Sequence, residues 1–142
     1  MLELKDFEEA KKRVDEVIIP TPLIYSPAFS KECRNMVYIK PENLQRTGAF
    51  KIRGAYNKIM KMDDESKSRG LIASSAGNHA QGVAYAAQQL GVKATIVMPA
   101  HTPLIKVDAT KALGADVVLH GEVYDDAYNK AVELQKEHGY TF

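Results

Sequence analysis

Lys51 is the residue in this chain best placed by its neighbours to act as a nucleophile. It stands at the start of a helical pattern, after the polar turn of Gln45, Arg46, Thr47 and Gly48, and between apolar Phe50 and Ile52. A helix N-terminus carries about half a positive charge from aligned peptide dipoles. A lysine there, with apolar flanks, holds its own charge at a cost, which favours the neutral amine. Neutral, desolvated lysines attack carbonyl carbons and form Schiff bases. A second place for chemistry is the run Ser74-Ser75-Ala76-Gly77-Asn78, between a short apolar strand and an alanine-rich helix. Gly77 lets the backbone approach a ligand, and free N–H groups in the first helical turn attract an anion. Spacing alone favours the plainer reading, an ordinary helix cap built from Ser75 and Asn78.

The elements that would position these residues read as follows. Residues 4–16 suit an amphipathic helix with Leu4, Phe7, Ala10 and Val14 on one face. Pro20 and Pro22 stop it, Leu23 to Tyr25 is a short strand, Ser26-Pro27 opens a short helix, and Met36 to Lys40 is a second strand. From residue 51 the rhythm alternates. A helix over 51–62 is followed by a solvated charged connection over 61–69, a strand at 71–74, a helix over 78–90, and a strand at 94–98. Thr102 caps a helix with Pro103 in its first position, Val117 to Leu119 is a strand, and 123–138 is a last helix. Tyr140 to Phe142 reads as the opening of another strand, so the chain looks cut rather than completed. Strand–helix–strand units with short connections predict an open three-layer parallel sheet, an α/β fold with helices on both faces.

Size and composition narrow the function class. The 142 residues can enclose one ordinary core, and a net charge of +1 implies no general attraction to nucleic acid or anionic membrane. With one cysteine, Cys33, no intramolecular disulfide can form. The charged start is unlike a signal sequence, and a cytoplasmic protein is expected. No Gly-x-Gly-x-x-Gly occurs, and Val83-Ala84 follow Gly77 and Gly82 where a triphosphate loop needs Lys and Ser/Thr. His79, His101, His120 and His138 show no ligand spacing, so no metal site is expected.

The stretch Leu44-Gln45-Arg46-Thr47-Gly48-Ala49-Phe50-Lys51-Ile52-Arg53-Gly54-Ala55-Tyr56-Asn57 resembles the cofactor-lysine motif of threonine dehydratases (threonine ammonia-lyases), which are fold-type II enzymes using pyridoxal 5'-phosphate. Ser74 to Ala84 resembles the same family's substrate-carboxylate loop, in the family's order and spacing. The resemblance implies that Lys51 holds the cofactor covalently and then moves protons at the substrate's Cα and toward its leaving hydroxyl. It implies that Asn78 bonds the cofactor's 3′-oxygen, that Phe50 packs beside the ring, and that Ser75, Ala76, Gly77, Asn78 and His79 surround the substrate carboxylate. The product would be a 2-oxo acid plus ammonia, from threonine as an amino-acid substrate, in a homo-oligomer with no nucleic-acid or membrane partner.

Ala49 stands where the family commonly has serine, and Ala76 where racemase relatives carry a serine acting on the opposite face, which disfavours racemisation. Family catalytic domains are roughly twice this length. Residues 1–50 would be the N-terminal part of a large domain, and 51–142 a small α/β domain truncated at its C-terminal end. The glycine-rich loop that grips the cofactor phosphate is missing, so the chain alone is expected to be inactive, with a self-associating or mobile N-terminal third. Serine dehydratase or serine racemase activity stays open, as does a non-catalytic module binding a small anion or a protein. A biosynthetic or catabolic role is equally open.

Overall fold

The computed structural model describes residues 1–142. Its centre is a parallel sheet of β3 (Leu71–Ser74), β4 (Ala94–Met98) and β5 (Asp116–Leu119), ordered 3-4-5. Leu71 pairs with Ala94, and Thr95 with Asp116. Because side chains alternate across a strand, the sheet has two different faces. Leu71, Ala73, Ile96 and Met98 join one core with α3 (Lys51–Met60), α5 (Asn78–Leu90) and Val107 of α6 (Leu104–Ala112). Ile72 and Val97 point the other way, onto Ala127 and Ala131 of α7 (Tyr124–His138). Helices therefore cover both faces, as the sequence predicts. That coverage is why β3 and β4 are apolar throughout, save the half-buried Thr95 and the sheet-end Ser74.

Beyond Gly139, Thr141 pairs in parallel with Leu71. Its N–H donates to the Gly70 carbonyl, and Ile72 donates back to Thr141, both at 2.9 Å. The predicted final strand is thus present as one bridge on the free edge of β3.

Two local expectations are corrected. The charged connection contains α4 (Asp64–Arg69), started by the Asp63 carboxylate, which accepts from Ser66 N–H at 2.6 Å. It has acids in its first turn and bases in its last but no apolar face, so hydrophobic periodicity could not reveal it. Thr102 caps nothing. Its hydroxyl donates to the Pro99 carbonyl at 2.7 Å, and the helix begins at Leu104 with Pro103 as its cap.

The N-terminal fifty residues hold α1 (Leu4–Val14), the antiparallel pair β1 (Ile24–Tyr25) and β2 (Tyr38–Ile39), α2 (Pro27–Cys33) between them, and a 3-10 turn at Glu42–Leu44. Apart from Val14 and Val17, which join the main core, and Ile18, which packs against it, this part docks through polar side chains. The buried Gln45 amide pairs with both backbone groups of Ile19, at 2.8 and 2.9 Å. Arg13 donates to Asn57 at 2.7 Å. Ile24, Tyr25, Phe29, Tyr38 and Ile39 remain exposed. Apolar surface is left uncovered here, and Arg13 and Glu42 tie this part to α3 through Asn57 and Arg53. No helix is long and apolar enough to cross a membrane.

Candidate active site

Lys51 is the first residue of α3, after a turn in which Gly48 takes φ +67° and donates its N–H to the Gln45 carbonyl at 2.8 Å. That left-handed conformation suits glycine, which lacks the Cβ that penalises it. The next contact decides the site. A Cβ placed on Gly82 would lie 3.2 Å from Lys51 Cβ, Lys51 C and Ile52 N. Helix α5 thus rests directly on the backbone at the start of α3, with no side chain between them. Ile52, Ala55, Ala80, Val83 and Ala84 seal the same contact and are all buried.

This packing brings Lys51 and His79, the second residue of α5, to one cleft of about 320 Å³, lined by Phe50, Lys51, Gly54, Ala55, Lys58 and His79. An adjoining apolar cleft of about 280 Å³ shares Ala55, Lys58 and His79 and runs along β3 to Tyr124 and Phe142. Lys58 and Gly54 escaped the sequence reading. Positions three and seven after Lys51 lie near its face of a helix, which is the signal that could have found them.

The desolvation expected at Lys51 is absent. Lys51 is exposed, Phe50 is 58% exposed, and the lysine nitrogen sits 5.2 Å from the centre of the Phe50 ring. That is a distance at which a ring face attracts a cation. The amine takes part in no hydrogen bond or ion pair.

Of the turn residues, only His79 lines the cleft with Lys51. His79 is exposed at its outer edge, but partial desolvation in the cleft holds its imidazole below the ordinary pKa, and the nearby Lys51 charge adds to this. Gly77 precedes α5 and has open space where a side chain would be, and Asn78 is exposed as the first helical residue. Ala76 is half-buried in the loop. Ser75 Oγ accepts from Gly77 N–H and Ala80 N–H, each at 3.3 Å, from two residues before the cap position, which Gly77 holds without a side-chain bond; Asn78 is already helical and caps nothing. The N–H groups of Asn78 and His79 have no acceptor within the helix and are available to an anion. Two buried hydroxyls have no partner: Thr47, in the turn before Lys51, and Ser74, at the end of β3 beside His79 in the apolar cleft.

These features fit an aromatic aldehyde cofactor. They comprise an unpaired lysine amine at a cleft, an aromatic ring beside it, space over Gly54 and Gly77, and unfilled donors at a helix start.

Known proteins agree. The family model described as "Pyridoxal-phosphate dependent enzyme" matches residues 14–142. The L-threonine ammonia-lyase of Thermotoga maritima is 49% identical over 142 residues, covering 100% of this chain and 35% of that protein. Among solved structures, the processed form of threonine deaminase isoform 2 from Solanum lycopersicum superposes with a TM-score of 0.86 at 41% identity, over 99% of this chain and 40% of that one. Maize serine racemase gives 0.90 at 33% identity, over 98% and 42%. The chain therefore spans well under half the length of the proteins it matches. A family match from residue 14 to the last residue, on a fold shared over nearly the whole chain, means that this chain belongs to the pyridoxal-phosphate dependent enzymes.

Proposed function

We propose that the protein works as an L-threonine ammonia-lyase, releasing 2-oxobutanoate and ammonia, and that residues 1–142 supply the lysine side of its site. The observation that carries this is Lys51 at the start of α3, seated by Gly82 in one cleft with His79 of the Ser75–His79 turn. Identity of 49% to a threonine ammonia-lyase supports the substrate. When bound, pyridoxal 5'-phosphate supplies an electron sink for negative charge developing at the substrate's Cα.

The chain's own residues would then do the following. Lys51 Nζ anchors the cofactor and, once freed, takes the proton from Cα. The Phe50 ring packs against the cofactor, and the Asn78 side chain bonds its 3′-oxygen. The start of α5, at Ser75, Ala76, Gly77, Asn78 and His79, orients the substrate carboxylate through backbone N–H groups and the helix dipole. Ala76 offers no hydroxyl as a proton donor on the opposite face, which favours elimination over racemisation despite the likeness to maize serine racemase.

We place residues 1–50 in a larger catalytic domain and 51–142 in a smaller α/β domain. We expect a homo-oligomer in the cytoplasm, in keeping with the uncovered apolar surface around β1 and β2 and the lone cysteine. The test is to equilibrate the chain with pyridoxal phosphate, reduce with borohydride, and map the label. Label concentrated at Lys51 and lost in Lys51→Ala supports the assignment, whereas label scattered over surface lysines refutes it. The chain alone should give no sustained 2-oxobutanoate or pyruvate. Sustained release would show the site to be complete, and the ratio of the two products would read threonine against serine.

A further inference from the structure

We propose that Glu42 and Arg53 form a clasp that fixes the Lys51 amine in its cleft, so that both are positioning residues for the chemistry at that amine. The proposal rests on Lys51 being the reacting lysine.

The clasp closes the loop that carries Lys51. Arg53 meets the Glu42 carboxylate with two parallel bonds, Nε to Oε2 at 2.9 Å and Nη2 to Oε1 at 2.8 Å. Such a fork constrains direction as well as distance. Thr21 Oγ1 donates to Oε1 at 2.5 Å, and Lys40 Nζ donates to the Thr21 carbonyl at 2.6 Å. The Glu42 side chain is only 17% exposed and that of Arg53 29%. One end of the loop is therefore tied to the N-terminal segment, and the other to α3 two residues past Lys51.

Position along the helix separates the two roles. Successive helical residues turn by about 100°, so side chains two apart point in nearly opposite directions. Arg53 reaches back to Glu42, while Lys51 faces the cleft beside His79. The lysine amine has no bond of its own to hold it, so its place depends on the backbone beneath. Gly82 presses that backbone from the α5 side, and the clasp holds it from the other.

The test uses the whole chain carrying Glu42→Gln, Arg53→Lys or Thr21→Val, studied where circular dichroism shows each variant folded. Two readouts are compared: hydrogen exchange across residues 46–53 against β3, β4 and β5, and borohydride-trapped pyridoxal phosphate at Lys51 against label on the other lysines. Glu42→Gln should speed exchange at 46–53 selectively. It should cut Lys51 labelling by about tenfold to a hundredfold, the scale expected when a reacting group is displaced by about 1 Å. Arg53→Lys, which keeps the charge but loses the fork, should retain part of the labelling, and Thr21→Val should retain most of it. Exchange that rises evenly over the whole chain, or Lys51 labelling that stays unchanged while 46–53 loosens, overturns the clasp. An unsubstituted chain that takes no label at Lys51 overturns the cofactor assignment and the positioning role with it. The two failures are distinguishable because only the second shows in the unsubstituted chain.

Discussion

Replacing Gly82 with alanine sets two effects against each other, and their sizes can be compared. Gly82 lies inside α5, where alanine is the better helix former by about 0.5–1 kcal/mol. The new methyl would sit 3.2 Å from Lys51 Cβ, Lys51 C and Ile52 N. These atoms are main chain or bonded directly to it, so none can rotate away. Overpacking of this kind costs about 1–3 kcal/mol. Gly54, inside α3, is the matched control, because nothing lies within 4 Å of a Cβ there. Gly54→Ala should therefore stabilise the chain by the propensity term alone. The two variants share that term, so their difference isolates the steric one: about 1–3 kcal/mol, or about 3–10 °C in thermal midpoint for a chain of this size. Thermal unfolding of both, followed by circular dichroism under one buffer, is the assay. If Gly82→Ala melts at or above Gly54→Ala, α5 does not rest on the Lys51 backbone and the site as described is wrong.

Three further outcomes are expected. The Glu42 carboxyl is lowered from 4.5 to about 2, chiefly by the Arg53 hydrogen bonds. A carboxylate with a depressed native pKa lends stability above its unfolded pKa and loses it as pH falls. The stability gap between the unsubstituted chain and Glu42→Gln should therefore shrink between pH 4.5 and 2 in urea titrations, and a gap constant over that range would contradict the pairing. Gln45→Leu should destabilise by about 1–3 kcal/mol, since it strands the Ile19 N–H and removes one of the two bonds to the Ile19 carbonyl, which keeps the Thr21 N–H; an unchanged denaturation midpoint would rule out the pin. Asp63→Ala removes the carboxylate that starts α4 and should raise amide exchange over 64–69 while leaving β3 protected. Exchange there that matches the unsubstituted chain would mean the cap contributes nothing.

The parts legible in the sequence are those written in local pattern. β3 announced itself as a short apolar strand, β4 as the next strand at 94–98, and α5 as an alanine-rich helix, whose Ala80, Ala84 and Ala87 are buried. Lys51 and the Ser75–His79 turn were recognisable because their motifs are contiguous. What escaped was polar or distant in sequence. Helix α4 carries no apolar stripe, so period could not show it. The links from Glu42 to Arg53 and Thr21, and from Gln45 to Ile19, span 11, 21 and 26 residues, and only folding reveals such partners. Lys51 was misjudged in one respect. Apolar neighbours in sequence suggested burial, but on a helix they lie on other faces, and the amine lies over a Phe50 ring that is itself exposed to solvent.

The Ser75 hydroxyl has a consequence for any anion that reaches the β3–α5 turn. It already fills the N–H groups of Gly77 and Ala80. An arriving carboxylate finds the Asn78 and His79 N–H groups free, but at the Gly77 and Ala80 donors it would only trade places with an oxygen already there, releasing Ser75 to donate in turn. The number of bonds would barely change, and net gain per exchanged bond is small. Selectivity at this turn would then come from formal charge meeting the helix dipole, so a neutral amide in place of the carboxylate would lose affinity even with every contact kept.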